Sequence, residues 1–151
     1  PANLRFVPVN FNERTLAAGL AEAGFRRDVP ALFSWLGVVY YLPRESVFET
    51  LRFIAGQQAA SQVIFDFAVA ESAVLPRHKH LFREFREYTL TAAAERWQTW
   101  FTPDEIKAVL RGCGFADMAH LDSDTVADRY LNDRTDGLLI SPLVNLISAY
   151  K

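Results

Sequence analysis

The sequence predicts an α/β domain on a mostly parallel sheet, and three observations carry that expectation. The first is the run Ala31-Leu32-Phe33-Ser34-Trp35-Leu36-Gly37-Val38-Val39-Tyr40-Tyr41-Leu42-Pro43, which is apolar, aromatic and β-branched and reads as a strand covered on both faces. The second is the segment after it, Arg44 to Gln57. Val47, Phe48, Leu51, Ile54 and Ala55 recur there at helical spacing, with Glu45, Glu49 and Arg52 on the other side. The third is Ser61-Gln62-Val63-Ile64-Phe65-Asp66-Phe67-Ala68, a second strand-like run. Strand, crossover helix and strand in that order make a βαβ unit with parallel strands. In open sheets of this kind ligands bind beyond the carboxyl ends of the strands, so the residues just after Trp35 and those around Asp66 face the expected site.

The remaining elements alternate in the same way. Leu4 to Val9 is strand-like and leads through Asn10-Phe11-Asn12 into a helix from about Thr15 to Ala23, stopped by Gly24. Pro76 to Thr99 reads as helical, with Leu81, Phe82, Phe85, Tyr88 and Leu90 on apolar faces. Thr102-Pro103-Asp104-Glu105 has the form of a capping box with proline at the first helical position. It opens a helix to Arg111 that stops at Gly112-Cys113-Gly114. Phe115 to Leu121 reads as a strand, Ser123 to Leu131 as a turn and short helix, and Leu143 to Tyr150 as a terminal strand. No repeat or low-complexity linker interrupts the order, so residues 1–151 are expected to form part of a single domain.

Composition narrows the partners. Half the residues are apolar, which excludes a disordered chain, and the net charge of −2 is spread without a basic stripe, so no nucleic acid is expected. No segment reaches the roughly 20 apolar residues needed to span a bilayer, so no membrane partner is expected. The single cysteine, Cys113, has no internal disulfide partner, which fits a cytoplasmic protein. Between two glycines it reads as a small buried hydrophobe ahead of a reactive thiol. His78-Lys79-His80 lacks a third ligand nearby, so no metal is expected. Neither a G-x-G-x-x-G nor a G-x-S-x-G motif is present. The chain opens at Pro1 straight onto a strand-like stretch, which suggests a fragment of something longer.

Four blocks carry a family resemblance: Phe6-Val7-Pro8-Val9-Asn10-Phe11, Leu32 to Leu42, Val63-Ile64-Phe65-Asp66-Phe67 and Leu146-Ile147-Ser148-Ala149-Tyr150-Lys151. Together they resemble the downstream portion of the S-adenosylmethionine-dependent O-methyltransferases related to leucine carboxyl methyltransferase, in their large bacterial branch. The resemblance implies a Rossmann-like class I methyltransferase fold, with helices on both faces of the sheet, here lacking its first strands. It implies S-adenosyl-L-methionine as cofactor and methyl transfer to a carboxylate or hydroxyl of a small-molecule substrate.

Site residues follow from the same resemblance. Asn10 stands where the family has an aspartate that accepts a bond from the adenine amino group, and Phe11 where an apolar side chain packs on the ring. Asn10 departs from the family's acid but keeps a carbonyl acceptor; a turn or helix-cap role is the alternative. Leu36 stands where the family has an acid near the methionine end, so only its backbone can serve there, with Gly37 beside it. Tyr41 matches the family's tyrosine, or is a core residue with a satisfied hydroxyl. Asp66 falls where this fold puts substrate; a solvated or capping carboxylate is the alternative. No catalytic base is assigned. The family's Gly-rich loop and ribose-holding acid are not among these residues, so the isolated chain is expected to bind cofactor weakly or not at all. A second reading is a non-catalytic module that forms a homo-oligomer, or pairs with another chain, through an exposed sheet edge.

Overall fold

In the computed structural model, which describes residues 2–10, 13–91 and 96–151, four strands form one sheet. They are β1 (Ala31–Trp35), β2 (Ser61–Ala68), β3 (Asp117–Leu121) and β4 (Val144–Tyr150), in the spatial order β1-β2-β4-β3. β1 and β2 are parallel, with Phe33 opposite Val63 and Trp35 opposite Phe65. β4 runs antiparallel to both β2 and β3, so β3 shares the direction of β1 and β2. Three of the four strands thus point the same way, and the reversed terminal strand is wedged among them.

Strand alternation fixes where the core lies. On β2, Val63, Phe65 and Phe67 are fully buried and face the same side as Ile147 and Ala149 of β4. That side is covered by α2 (Arg44–Ala55), which contributes Val47, Leu51 and Ile54, and by α4 (Pro103–Cys113), which contributes Ile106 and Leu110. The apolar stripe read from the sequence of α2 is the stripe that is buried. α4 starts as its sequence dictates. Thr102 Oγ1 accepts the Glu105 N–H at 3.1 Å, and Glu105 Oε2 accepts the Thr102 N–H at 2.7 Å. Arg44, at the start of α2, ties the two helices by lying 4.4 Å over the Phe101 ring and bridging to Glu105.

The other face of the sheet is less covered. α5 (Ser123–Tyr130) reaches over one end of it, where Val126 lines a cleft with Leu121 and Leu146. Beyond that, Leu32 is 61% exposed, Ser34 and Ala119 are exposed, and Ile64 and Ser148 are half-buried. The expectation that the Leu32 run is covered on both faces is therefore corrected. β1 is an edge strand with α2 on one side only, and it ends at Trp35 because the chain turns sharply at Gly37 into a 3₁₀ turn, Val39–Tyr41. Val39 and Tyr40 are buried from that turn and not from a strand.

Two further elements differ from the sequence reading. Leu4 to Val9 forms no ladder: Phe6 is 89% exposed, Pro8 has no N–H to donate, and no described strand lies alongside. The segment instead leans on α1 (Leu16–Glu22). A Cβ on Gly19 would come within 2.4 Å of a Val9 methyl, so only glycine admits that contact. The Pro76–Thr99 helix is shorter than expected. A 3₁₀ turn over Pro76–His78 leads into α3 (Lys79–Thr91), and residues 96–100 form neither helix nor strand.

Candidate functional site

The carboxyl ends of β1 and β2 are joined by one side chain. Gly37, at φ 73°, turns the chain away from β1, and its N–H donates to Asp66 Oδ1 at 2.8 Å. A side chain at that φ is strained, so glycine is the residue the turn requires. One residue beyond the Trp35–Phe65 pair, Leu36 follows the end of β1 and Asp66 lies two residues before the end of β2. Asp66 is opposite Leu146 and Leu146 is opposite Leu121, which makes a row across the sheet. These four residues line a cleft of about 280 Å³ together with Val126, Ile140 and Ser141.

Over the turn sits an aromatic group that the sequence reading did not assemble. Tyr40 stacks on Trp97 with ring centres 4.0 Å apart, and Trp97 meets Phe85 at 4.4 Å and Trp100 at 5.2 Å. The 96–100 segment is laced onto the turn: the Gln98 N–H donates to the Tyr40 carbonyl at 2.7 Å, and Thr99 Oγ1 donates to the Leu42 carbonyl at 2.6 Å. This lacing is why the helix expected to Thr99 stops short. The Tyr40 hydroxyl lies 3.9 Å from where a Gly37 Cβ would be. Burial, then the Asp66 carboxylate and then Tyr41 push that phenol up to about 12. At neutral pH it is a protonated donor beside a carboxylate.

The sequence-derived site residues fall as follows. Leu36 is 53% exposed at the end of β1, with Gly37 and Asp66 adjoining it. Tyr41 is half-buried, with its ring 4.8 Å from Tyr40 and edge-on to Trp97 at 6.4 Å. Its side chain belongs to the aromatic group over the turn. Asn10 is exposed before α1, and its carbonyl accepts the N–H groups of Glu13 and Arg14, both at 3.0 Å, so its backbone closes a turn. Phe11 lies outside the described residues. Tyr40 and Trp97 were the omissions. An aromatic beside a glycine turn was the available signal for the first, and nothing local marked the second.

Elsewhere the chemistry is structural. The His78 Nε2 accepts the Arg77 Nε–H at 2.9 Å, and no group of three or more His, Cys, Asp or Glu among the described residues is placed to hold a metal. Cys113 is half-buried, and burial raises its thiol pKa, which keeps it in the unreactive protonated form. No helix among the described residues is long and apolar enough to cross a membrane.

Comparison with known proteins now bears on this geometry. Residues 1–55 match the family model of leucine carboxyl methyltransferase. The family resemblance drawn from the residues is thereby borne out. The whole chain is also 27% identical over 156 residues to the Bacillus subtilis (strain 168) protein named "Putative S-adenosyl-L-methionine-dependent methyltransferase YktD". The chain spans 49% of that relative's length. Among solved structures, a SAM-dependent methyltransferase from Archaeoglobus fulgidus superposes with a TM-score of 0.52 at 14% identity, over 99% of this chain and 69% of that one. A possible exported protein from Bordetella parapertussis gives 0.52 at 21% identity, over 90% of this chain and 47% of that one. These likenesses establish the fold: an α/β sheet of the kind found in SAM-dependent methyltransferases.

Proposed function

We propose that the protein containing this sequence is an S-adenosyl-L-methionine-dependent methyltransferase acting on a carboxylate or hydroxyl oxygen of a small molecule, in the cytoplasm. The likeness to YktD along the whole chain supports the activity, and the Leu36–Gly37 turn held by Asp66 supports a site near the carboxyl ends of adjoining parallel strands.

The residues of this chain fit the cofactor in part. Leu36 and Gly37 offer backbone at the strand end, Asn10 offers an acceptor for an adenine amino group, and Phe11 and Tyr41 complete the proposed contacts. The Gly-rich loop and ribose acid that anchor such cofactors are not among these 151 residues. When bound, the cofactor supplies an electrophilic methyl on a sulfonium. The chain's own contribution is alignment and exclusion of water: the Trp97 group walls one side of the turn, and Asp66 fixes the backbone at Gly37. Asp66 is the proposed substrate contact, with the Tyr40 hydroxyl as a neutral donor beside it.

Calorimetry with S-adenosylmethionine tests this on two proteins. The isolated chain should bind no tighter than about millimolar, roughly −4 kcal/mol. A longer protein that supplies a Gly-rich loop should bind at about micromolar, roughly −8 kcal/mol, and transfer isotope-labelled methyl to an acceptor. Micromolar binding by the isolated chain overturns the fragment expectation, and absence of transfer by the longer protein overturns the enzyme. The second reading, a non-catalytic module that self-associates, is favoured by the open edge of β1 and the exposed Leu32. Sedimentation of the isolated chain decides it.

A further inference from the structure

Between α3, α5 and the segment ahead of β4 lies a second, larger cleft of about 890 Å³. That volume lies within the range of small-molecule sites. Its walls are mainly apolar, with Leu81 and Phe85 from α3, Ala127 and Leu131 from α5, and Leu138 and Leu139 from the connecting segment. Leu138 is 50% exposed and Leu139 86%, so this segment shows the solvent large apolar groups that a ligand in the cleft would cover.

Two observations say what that ligand is. The first is adjacency: Ile140 and Ser141 line both this cleft and the smaller one bounded by Leu36 and Asp66, so the two clefts adjoin along one segment and together make up the groove. The second is charge. Neither cleft has a lysine or arginine among its described lining residues, whereas Glu84 and Asp124 line the larger, with His78 beside them accepting the Arg77 Nε–H on its Nε2, and Asp66 lines the smaller. Asp124 is matched from outside the cleft by Arg77, at 2.5 Å. Arg77 is already engaged by Asp124 and His78, so the walls offer a carboxylate no uncommitted lysine or arginine, and the interior favours neutral molecules over anions.

We propose that this groove binds the apolar body of an uncharged acceptor, with its nucleophilic oxygen at the Leu36–Asp66 end, and so selects a neutral hydroxyl compound over a carboxylate. The identification of the occupant as acceptor rests on the methyltransferase reading; the binding preference does not.

The test uses this chain with 2-naphthol, neutral at pH 7, and 2-naphthoate, the anion of similar shape, followed by methyl-region NMR. Naphthol should bind at least tenfold more tightly than naphthoate and shift the resonances of Leu131 and Leu139. Ala127→Phe, which fills the gap from a half-buried position on α5, should weaken naphthol binding at least tenfold. Glu84→Lys, at an exposed position, should move the preference toward naphthoate. Equal or tighter binding of naphthoate by the unmodified chain overturns the proposal, as do shifts confined to the Leu32–Ile64 face. If in the longer protein a photoreactive residue introduced at position 139 crosslinks to another part of the same chain and naphthol no longer binds, the groove is a packing surface and the proposal also fails. Naphthol binding without any methyl transfer by the longer protein removes the enzyme but leaves the groove. Transfer to an acceptor that is unchanged by Ala127→Phe removes the groove but leaves the enzyme.

Discussion

Replacing Phe65 and Ile64 separately sets the two faces of β2 against each other, one residue apart in the same ladder. Phe65 is fully buried, with Trp35 at 6.0 Å and Phe67 at 6.5 Å between ring centres and Ile147 opposite. Phe65→Ala removes a ring from a site walled by large groups that cannot all move in, so the loss should be about 3–5 kcal/mol. Ile64 is half-buried on the open face, between Ser34 on β1 and Ser148 on β4. A fully buried Ile→Ala change costs about 2–5 kcal/mol. With half the side chain already in water and small neighbours on both sides, Ile64→Ala should cost roughly half that. The assay is urea denaturation followed by far-ultraviolet circular dichroism, with the slope compared between variants to confirm that only stability changed. Should Phe65→Ala fail to fold, Phe65→Leu against Ile64→Val preserves the comparison. An Ile64 substitution as damaging as its Phe65 counterpart would refute the assignment of faces, and with it the location of the groove and of Asp66.

Three further outcomes are expected. Thr102→Ala removes the capping-box bond from the Glu105 N–H to Thr102 Oγ1 and should lower stability by about 1 kcal/mol, read by the same titration. The Glu105 carboxyl is held below its usual range chiefly by the Thr102 N–H, so its contribution is full above the ordinary carboxylate pKa and fades as pH falls through the lowered value. Glu105→Gln should therefore flatten the acid limb of the stability profile, and an unchanged limb would show that the bond contributes nothing. Gly37→Ala places a side chain at φ 73° and should cost about 1–2 kcal/mol. A neutral result in denaturation would mean that the turn is not the one described. Tyr40 should titrate near 12 by phenolate absorbance. Because the raised value favours the neutral phenol in the folded state, stability is full below about 10, the ordinary tyrosine value, and declines as pH rises from there toward 12. Tyr40→Phe should remove that decline.

What the sequence disclosed and what it hid follow from the range of the interactions involved. The α4 cap was legible to the residue because Thr102, Pro103 and Glu105 act within one turn of backbone. The buried stripe of α2 was legible because helical spacing alone selects a face. The Leu32 run was misread in extent, since an apolar stretch has the same composition whether it continues as a strand or folds at Gly37 into a buried 3₁₀ turn. The non-helical 96–100 segment was hidden for a similar reason: its bonds run to Tyr40, Tyr41 and Leu42, more than fifty residues away.

The same distinction bears on the site. Leu36, Gly37 and Asp66 were singled out from strand ends and family resemblance, yet what unites them is a hydrogen bond across 29 residues that uses one oxygen of Asp66 to hold a turn. That bond gives Asp66 two roles that a single substitution would confuse, fixing the turn and facing the groove. Asp66→Asn separates them. The amide oxygen still accepts the Gly37 N–H, so the turn and the stability should remain, while the negative charge at the groove end is gone. If the charge helps exclude anions, naphthoate should gain affinity in this variant while naphthol is unchanged. If Asp66 serves the turn alone, both probes should bind as before, and the selectivity must reside with Glu84 and the apolar walls.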